Sequence, residues 1–142
     1  MSSVNDYDSL QVYFDGACWP NPGIASYGWL IKAGNEQIAC GSAMLEGNKR
    51  TNNFAEYCGL GFALRYLVDH RYHGNLDIYG DSRLVVKQMQ QKKPWKSKKP
   101  HLTKLRDRCK QLLKQIGGKY TIQWIPREQN EECDSLAESV RL

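Results

Sequence analysis

No stretch of the 142 residues is long and apolar enough to cross a bilayer. The polar opening MSSVNDYDS has neither the apolar core of a signal peptide nor the basic amphipathic face of a targeting helix. The sequence is therefore expected to give a soluble, cytoplasmic protein, with residues 1–9 disordered or frayed. Cysteine is sparse and unpaired in pattern: Cys18, Cys40, Cys58, Cys109 and Cys133 are odd in number, widely spaced and without a C-x-x-C. That gives no sign of a disulfide framework or a zinc site, and leaves reduced, mostly buried thiols. There is no internal repeat and no linker, so residues 10–142 are expected to form one domain, of a size that buries roughly two thirds of its unfolded surface. Acids are in the minority, fifteen against twenty Lys and Arg for a net +5, which favours a polyanionic partner. Nucleic acid is the first candidate and an anionic membrane the fallback.

What is present is organised around Leu10 to Gly23, LQVYFDGACWPNPG. Leu10, Val12 and Phe14 recur with the two-residue period of a strand, and the run leads straight into Asp15, Gly16 and a Pro/Asn/Gly turn. Ile24 to Lys32 and Gln37 to Leu45 read as two more strands joined by a short Gly/Asn turn, making an antiparallel meander. Phe54 to His70 reads as a buried helix, apolar nearly all round, with Gly59 and Gly61 implying close approach to the sheet. Asn75 to Tyr79 is a short strand, and Ser82 can cap a helix from Arg83 to about Gln91. His101 to Ile116 carries an amphipathic helical period ended by Gly117-Gly118. Tyr120 to Ile125 alternates as a last strand, and Asn130 can cap a final helix. The order is that of an α/β fold.

Four acids, each on a different element or its end, invite a functional reading. Asp15 lies on the first strand, where it either ends the strand or presents a carboxylate from the sheet. Glu56 is the only charge between Phe54 and Leu64, and it is either a helix-dipole acid or a buried functional carboxylate. Asp81 falls at the carboxyl end of a strand, where α/β sites collect, or competes with Ser82 as a cap. Asp134 lies on the last helix at the rim of its apolar stripe. As a set of oxygen donors without a Cys/His partner set, they suit Mg2+ or Mn2+ rather than zinc.

The pieces YFDGACWPNPG, TNNFAEY, IYGDSRLV and WIPREQNEECDSLA, in that order, resemble the motifs of type 1 ribonuclease H over essentially residues 10 to 141. The style of AEYCGLGFAL and the PREQN loop is closer to the compact bacterial and archaeal branch, which lacks a basic protrusion. The resemblance implies a ribonuclease H-like fold: a five-stranded mixed sheet, its first three strands antiparallel and its last two parallel, flanked by helices. It implies a metal-dependent endonuclease, a monomer, that cuts the RNA strand of RNA–DNA hybrids to 3′-hydroxyl and 5′-phosphate ends with two Mg2+ or Mn2+ ions. By the same resemblance Asp15, Glu56, Asp81 and Asp134 are metal ligands. Gly16, Asn21, Asn52 and Asn53 would lie along the RNA strand and read 2′-hydroxyls, the plain alternative for Asn52 and Asn53 being helix capping by one of them. Thr51, with Lys49 or Arg50, matches a pocket for a DNA phosphate. The alternatives are a catalytically weak hybrid-binding module with this fold, or a related nuclease that also acts on double-stranded RNA.

Between Arg83 and Lys114 lie twelve basic residues against one acid, Asp107. Trp95 and Lys96 within this run resemble the Trp-Lys pair of the family's DNA channel; the plain alternative is a solvated lysine loop. Two departures from the family stand out. The stretch from Asp81 to Trp95 is too short for an extra helix, and the loop from Trp124 to Asp134 has no histidine. Glu128, midway along that loop, is the candidate for the missing group. His70, His73 and His101 lie elsewhere and are given no catalytic role.

Overall fold

Leu10, Val12 and Phe14 are fully buried along the strand their alternation predicts, while Gln11 and Tyr13 between them are only partly covered. That strand is the spine of the computed structural model, which describes residues 3–140. The elements in chain order are β1 Ser9–Trp19, β2 Ile24–Ala33, β3 Glu36–Met44, α1 Asn52–Asp69, β4 Asn75–Gly80, α2 Arg83–Met89, α3 Pro100–Ile116, β5 Tyr120–Trp124 and α4 Glu131–Ser139. They build one five-stranded mixed sheet of order β3-β2-β1-β4-β5. The first three strands are antiparallel neighbours, and β4 runs parallel to both β1 and β5. This is the α/β architecture the sequence implies. Among the described residues, no helix is long and apolar enough to cross a membrane.

Helix α1 lies directly on the sheet because Gly59 lets it. A Cβ there would come within 2.8 Å of the Asp15 carbonyl oxygen and 3.0 Å of that of Gly28. Gly61 does not share this task, since its nearest neighbour would be the Cys109 sulfur at 3.7 Å, on α3. On the other face of β1 and β2, α4 packs against the backbone of Gly28, and Ser26 Oγ donates to the Ala137 carbonyl at 2.6 Å. The sheet is thus covered on both sides where β1 and β2 cross its centre. Cys58, Cys109 and Cys133 are buried free thiols, Cys18 is half-buried and Cys40 is exposed.

Three local expectations are corrected. The chain is not frayed from residue 3 onward: Val4–Asp6 is a 3-10 turn closed by a capping box between Ser3 and Asp6, Val4 is buried, and Asn5 Nδ2 donates to the His70 carbonyl. Met1 and Ser2 lie outside the described residues. Neither Asn52 nor Asn53 caps α1; Thr51 does, its hydroxyl accepting from the Phe54 N–H at 3.2 Å. Asn130 occupies the position before α4 without capping it: its Nδ2 donates to the distant Phe14 carbonyl, an orientation that leaves Oδ1, the atom a cap would use, buried with no hydrogen-bond partner.

Candidate active site

Parallel pairing of β1 with β4 ends at Phe14 opposite Gly80, and Asp15 and Asp81 are in each case the next residue. The strands therefore deliver two carboxylates side by side at the carboxyl edge of the sheet, where open α/β folds place their ligands. Glu56 joins them from the second turn of α1. Gly16 makes this possible, since a Cβ there would fall 2.3 Å from the Glu56 nitrogen. One carboxylate oxygen from each of Asp15, Glu56 and Asp81 lies within 4.8 Å of the others.

Three acids at this density cannot all ionise freely. Burial, and then repulsion from Asp81, pushes Asp15 up to about 8 from an ordinary value of 3.8. Glu56 is raised well above the usual carboxylate range, first by burial and then by Asp15 and Asp81. Asp81 is raised by burial, opposed by its hydrogen bond with Asp15 and by the charge of Arg127. Asp15 is 3% and Glu56 7% exposed, and Glu56 Oε2 is buried with no hydrogen-bond partner. An orphaned buried carboxylate oxygen facing two more carboxylates is the donor set of a hard divalent cation. The residues present fit a metal site.

Asp134, from the first turn of α4, stands outside this group of three but acts on it, adding to the rise at Asp15. It is held by Arg127, whose Nη2 donates to Asp134 Oδ1 at 3.3 Å. The acids open onto a cleft of about 660 Å3 whose walls include Gly16, Trp19, Asn52, Asn53, Trp124 and Arg127. Asn21 does not line the cleft; its side-chain oxygen accepts from the Asn52 N–H and steadies the start of α1. Ser82 caps α2, which leaves Asp81 free of that duty. Trp124 donates its indole N–H to the Asp81 carbonyl and carries the Arg83 guanidinium on its ring at 4.4 Å, fixing the opposite wall.

The remaining predicted residues do not line the cleft. Arg50 is tied by Nε to the Glu46 carbonyl and stacks over Phe54 at 4.4 Å, beside Thr51 and the exposed Lys49. Trp95 is 50% exposed and Lys96 is exposed, in a loop fastened from below. Tyr57 on α1 donates to buried Gln88, and Gln88 donates in turn to the Lys96 carbonyl. Glu128 is exposed on a 3-10 turn, Arg127–Gln129, and does not line the cleft, whereas its neighbour Arg127 does. Arg127 is the site residue that sequence reasoning passed over. Its only local signal is that of a lone cation in the histidine-free loop. His73 Nδ1–H donates to the Ile116 carbonyl at 2.9 Å, His70 stacks on Tyr66, and His101 lies tilted against Phe54.

A central mixed sheet with clustered acids at its carboxyl edge defines the ribonuclease H-like class. A sequence-family profile described as reverse transcriptase-like matches residues 13–140. The chain belongs to the ribonuclease H family, in its type 1 branch. It is 36% identical over 128 residues to the ribonuclease HI of Halobacterium salinarum, covering 90% of this chain and 62% of that protein. It is 31% identical over 141 residues to the ribonuclease H of Pelobacter propionicus, covering 90% and 82% of the two chains. LC11-RNase H1, crystallised in complex with an RNA/DNA hybrid, superposes with a TM-score of 0.82 at 28% identity over 92% of this chain and 95% of that one. The chain spans only 33% of the mycobacterial relatives it matches.

Proposed function

We propose that the protein is an endonuclease that hydrolyses the RNA strand of RNA–DNA hybrids, leaving 3′-hydroxyl and 5′-phosphate ends. The observation that carries this reading is the set of three carboxylates within 4.8 Å of one another, one with an unpartnered buried oxygen, in a chain of this family. The hybrid seen with LC11-RNase H1 supports the choice of substrate. Asp15, Glu56 and Asp81, with Asp134, would hold two Mg2+ or Mn2+ ions. When bound, such ions polarise the scissile phosphate, activate a water and stabilise the leaving oxygen. The protein's own part is to fix these acids before substrate arrives, with Arg127 restraining Asp134. The Asn52 and Asn53 side chains, which line the cleft at the start of α1, would read the 2′-hydroxyls of the RNA strand. A cleavage assay comparing hybrid, double-stranded RNA and double-stranded DNA with Mg2+ and with Mn2+ tests the proposal. Cleavage confined to the RNA of the hybrid is expected. Binding without cleavage would make the chain a hybrid-binding module, and equal cutting of double-stranded RNA would broaden its substrate.

The loop carrying Trp95 is the proposed contact to the DNA strand, with the phosphate pocket around Thr51, Lys49 and Arg50 as a second. Neutralising Lys96, Lys98 and Lys99 together is expected to weaken hybrid binding and to flatten its salt dependence by roughly 0.7 to 0.9 log units for each phosphate that is no longer neutralised. Binding titrations across a range of salt concentrations measure this directly; an unchanged slope would return the lysines to a solvated face.

At the histidine-free loop, Glu128 and Arg127 divide the possibilities. Arg127 reaches Asp134 and the cleft, so Arg127→Ala is expected to lower kcat by about tenfold or more. Glu128→Ala should lower it less, since that side chain is outside the cleft wall. Steady-state rates for the pair decide between them, and the reverse ranking would restore the Glu128 carboxylate as the loop's working group.

A further inference from the structure

Trp19 is the most exposed of the large apolar side chains described, at 74%, yet it lies in the wall of the acid-lined cleft. Among the described residues its indole has no hydrogen bond and no ring partner. The other tryptophan in that wall, Trp124, is accounted for by its bond to Asp81 and by Arg83. An indole left open to water forfeits the burial that ordinarily justifies it.

The backbone beneath it is nonetheless held firmly. Trp19 pairs with Ile24 at the last rung of β1 and β2. Gly23 and Arg50 exchange hydrogen bonds of 2.8 and 2.9 Å. The Cys18 thiol donates to the Arg50 carbonyl at 2.9 Å. A fixed backbone thus presents a flat apolar surface beside Asn52 and Asn53.

We infer that Trp19 is a specificity-determining contact, packing its indole face against sugar rings in the minor groove of the bound duplex and favouring a hybrid over B-form DNA. The inference rests on the proposed substrate. An A-like duplex has a wide, shallow minor groove that displays its 2′-hydroxyls, and this admits an indole next to groups that read those hydroxyls. The B-form minor groove is only about 6 Å wide and excludes one. The contact is apolar, so it adds affinity without adding to the release of counterions.

The test uses the full chain in EDTA, to prevent cleavage, with labelled hybrid and double-stranded DNA of one sequence titrated at several salt concentrations. Trp19→Ala is expected to weaken hybrid binding about tenfold and DNA binding no more than about twofold, with the salt slope unchanged. Trp19→Phe should restore most of the loss, and a thermal melt of each variant should match the wild type because the side chain is exposed. Unchanged hybrid affinity, an equal loss on both duplexes, or a flattened salt slope would each overturn the role given to Trp19. If the wild-type chain cleaves hybrid with Mg2+ or Mn2+ but Trp19→Ala keeps its preference, this inference alone falls. If the wild type neither cleaves nor prefers hybrid, the functional proposal falls with it.

Discussion

Asp15→Asn is expected to abolish divalent-metal-dependent cleavage, by at least about 10³-fold, while making the metal-free protein more stable. The first effect follows from removing the carboxylate at the centre of the cluster, where several kcal/mol of charge stabilisation would be lost. The second follows from proton linkage. Asp15 ionises near 8 in the fold and near 3.8 in the unfolded chain, so its contribution to stability is fully present below about pH 4 and is lost as pH rises through about 8. An amide carries no such penalty. The melting temperature of Asp15→Asn in EDTA should therefore exceed that of the wild type by a gap that widens from pH 5 to pH 9. Added Mg2+ should raise the melting temperature of the wild type and not of the variant. Wild-type cleavage by Asp15→Asn, or a gap that narrows with pH, would remove Asp15 from the metal site.

Gly16→Ala should damage stability and catalysis together. A Cβ at this position would sit 2.3 Å from the Ala55 carbonyl carbon and from the Glu56 nitrogen, both backbone atoms that cannot rotate aside. The methyl can be housed only if the first turns of α1 move off β1, and overpacking of this kind costs about 1–3 kcal/mol. The same movement carries Glu56, Asn52 and Asn53 away from Asp15, and a displacement of about 1 Å at reacting groups can cost roughly 10²-fold in rate. Urea denaturation and cleavage rates measured on one preparation check both halves. A useful control is Gly34→Ala, where φ is +63° and nothing lies within 4 Å, so only the left-handed backbone penalty of about 1–2 kcal/mol applies and activity should survive. Should Gly16→Ala fold and cut like the wild type, α1 is not held against β1 as described.

Those two residues also mark how far the sequence could be read. Asp15 and Glu56 were legible because each is a lone charge in an apolar element, and Asp81 because it directly follows a short strand, at the carboxyl end where α/β sites collect. Gly16 was legible only as a resemblance, since its need for a missing Cβ depends on a helix that begins well downstream, at Asn52. The same reason hid Asn130, whose amide reaches Phe14 across 116 positions, and the buried Tyr57–Gln88 pair, whose polar groups look like a helix surface in the local pattern. Local periodicity recovers the elements because burial is periodic. It does not recover which side chain is spent on a distant backbone group. Glu128 and Arg127 show this at its narrowest: adjacent in sequence and both exposed, they differ in that only one lines the cleft.

The parallel ladder from Ser9 opposite Asn75 to Phe14 opposite Gly80 has a kinetic consequence. These partners are far apart in sequence, with β2, β3 and α1 in the connection between them, and closing so long a loop is among the slower steps of folding. The carboxylates at its end meet only when that step is complete. A cation that needs all of them has little to hold in the folding transition state, and should act instead as a latch on the finished fold. Its stabilisation would then appear as slower unfolding, with the folding rate scarcely changed.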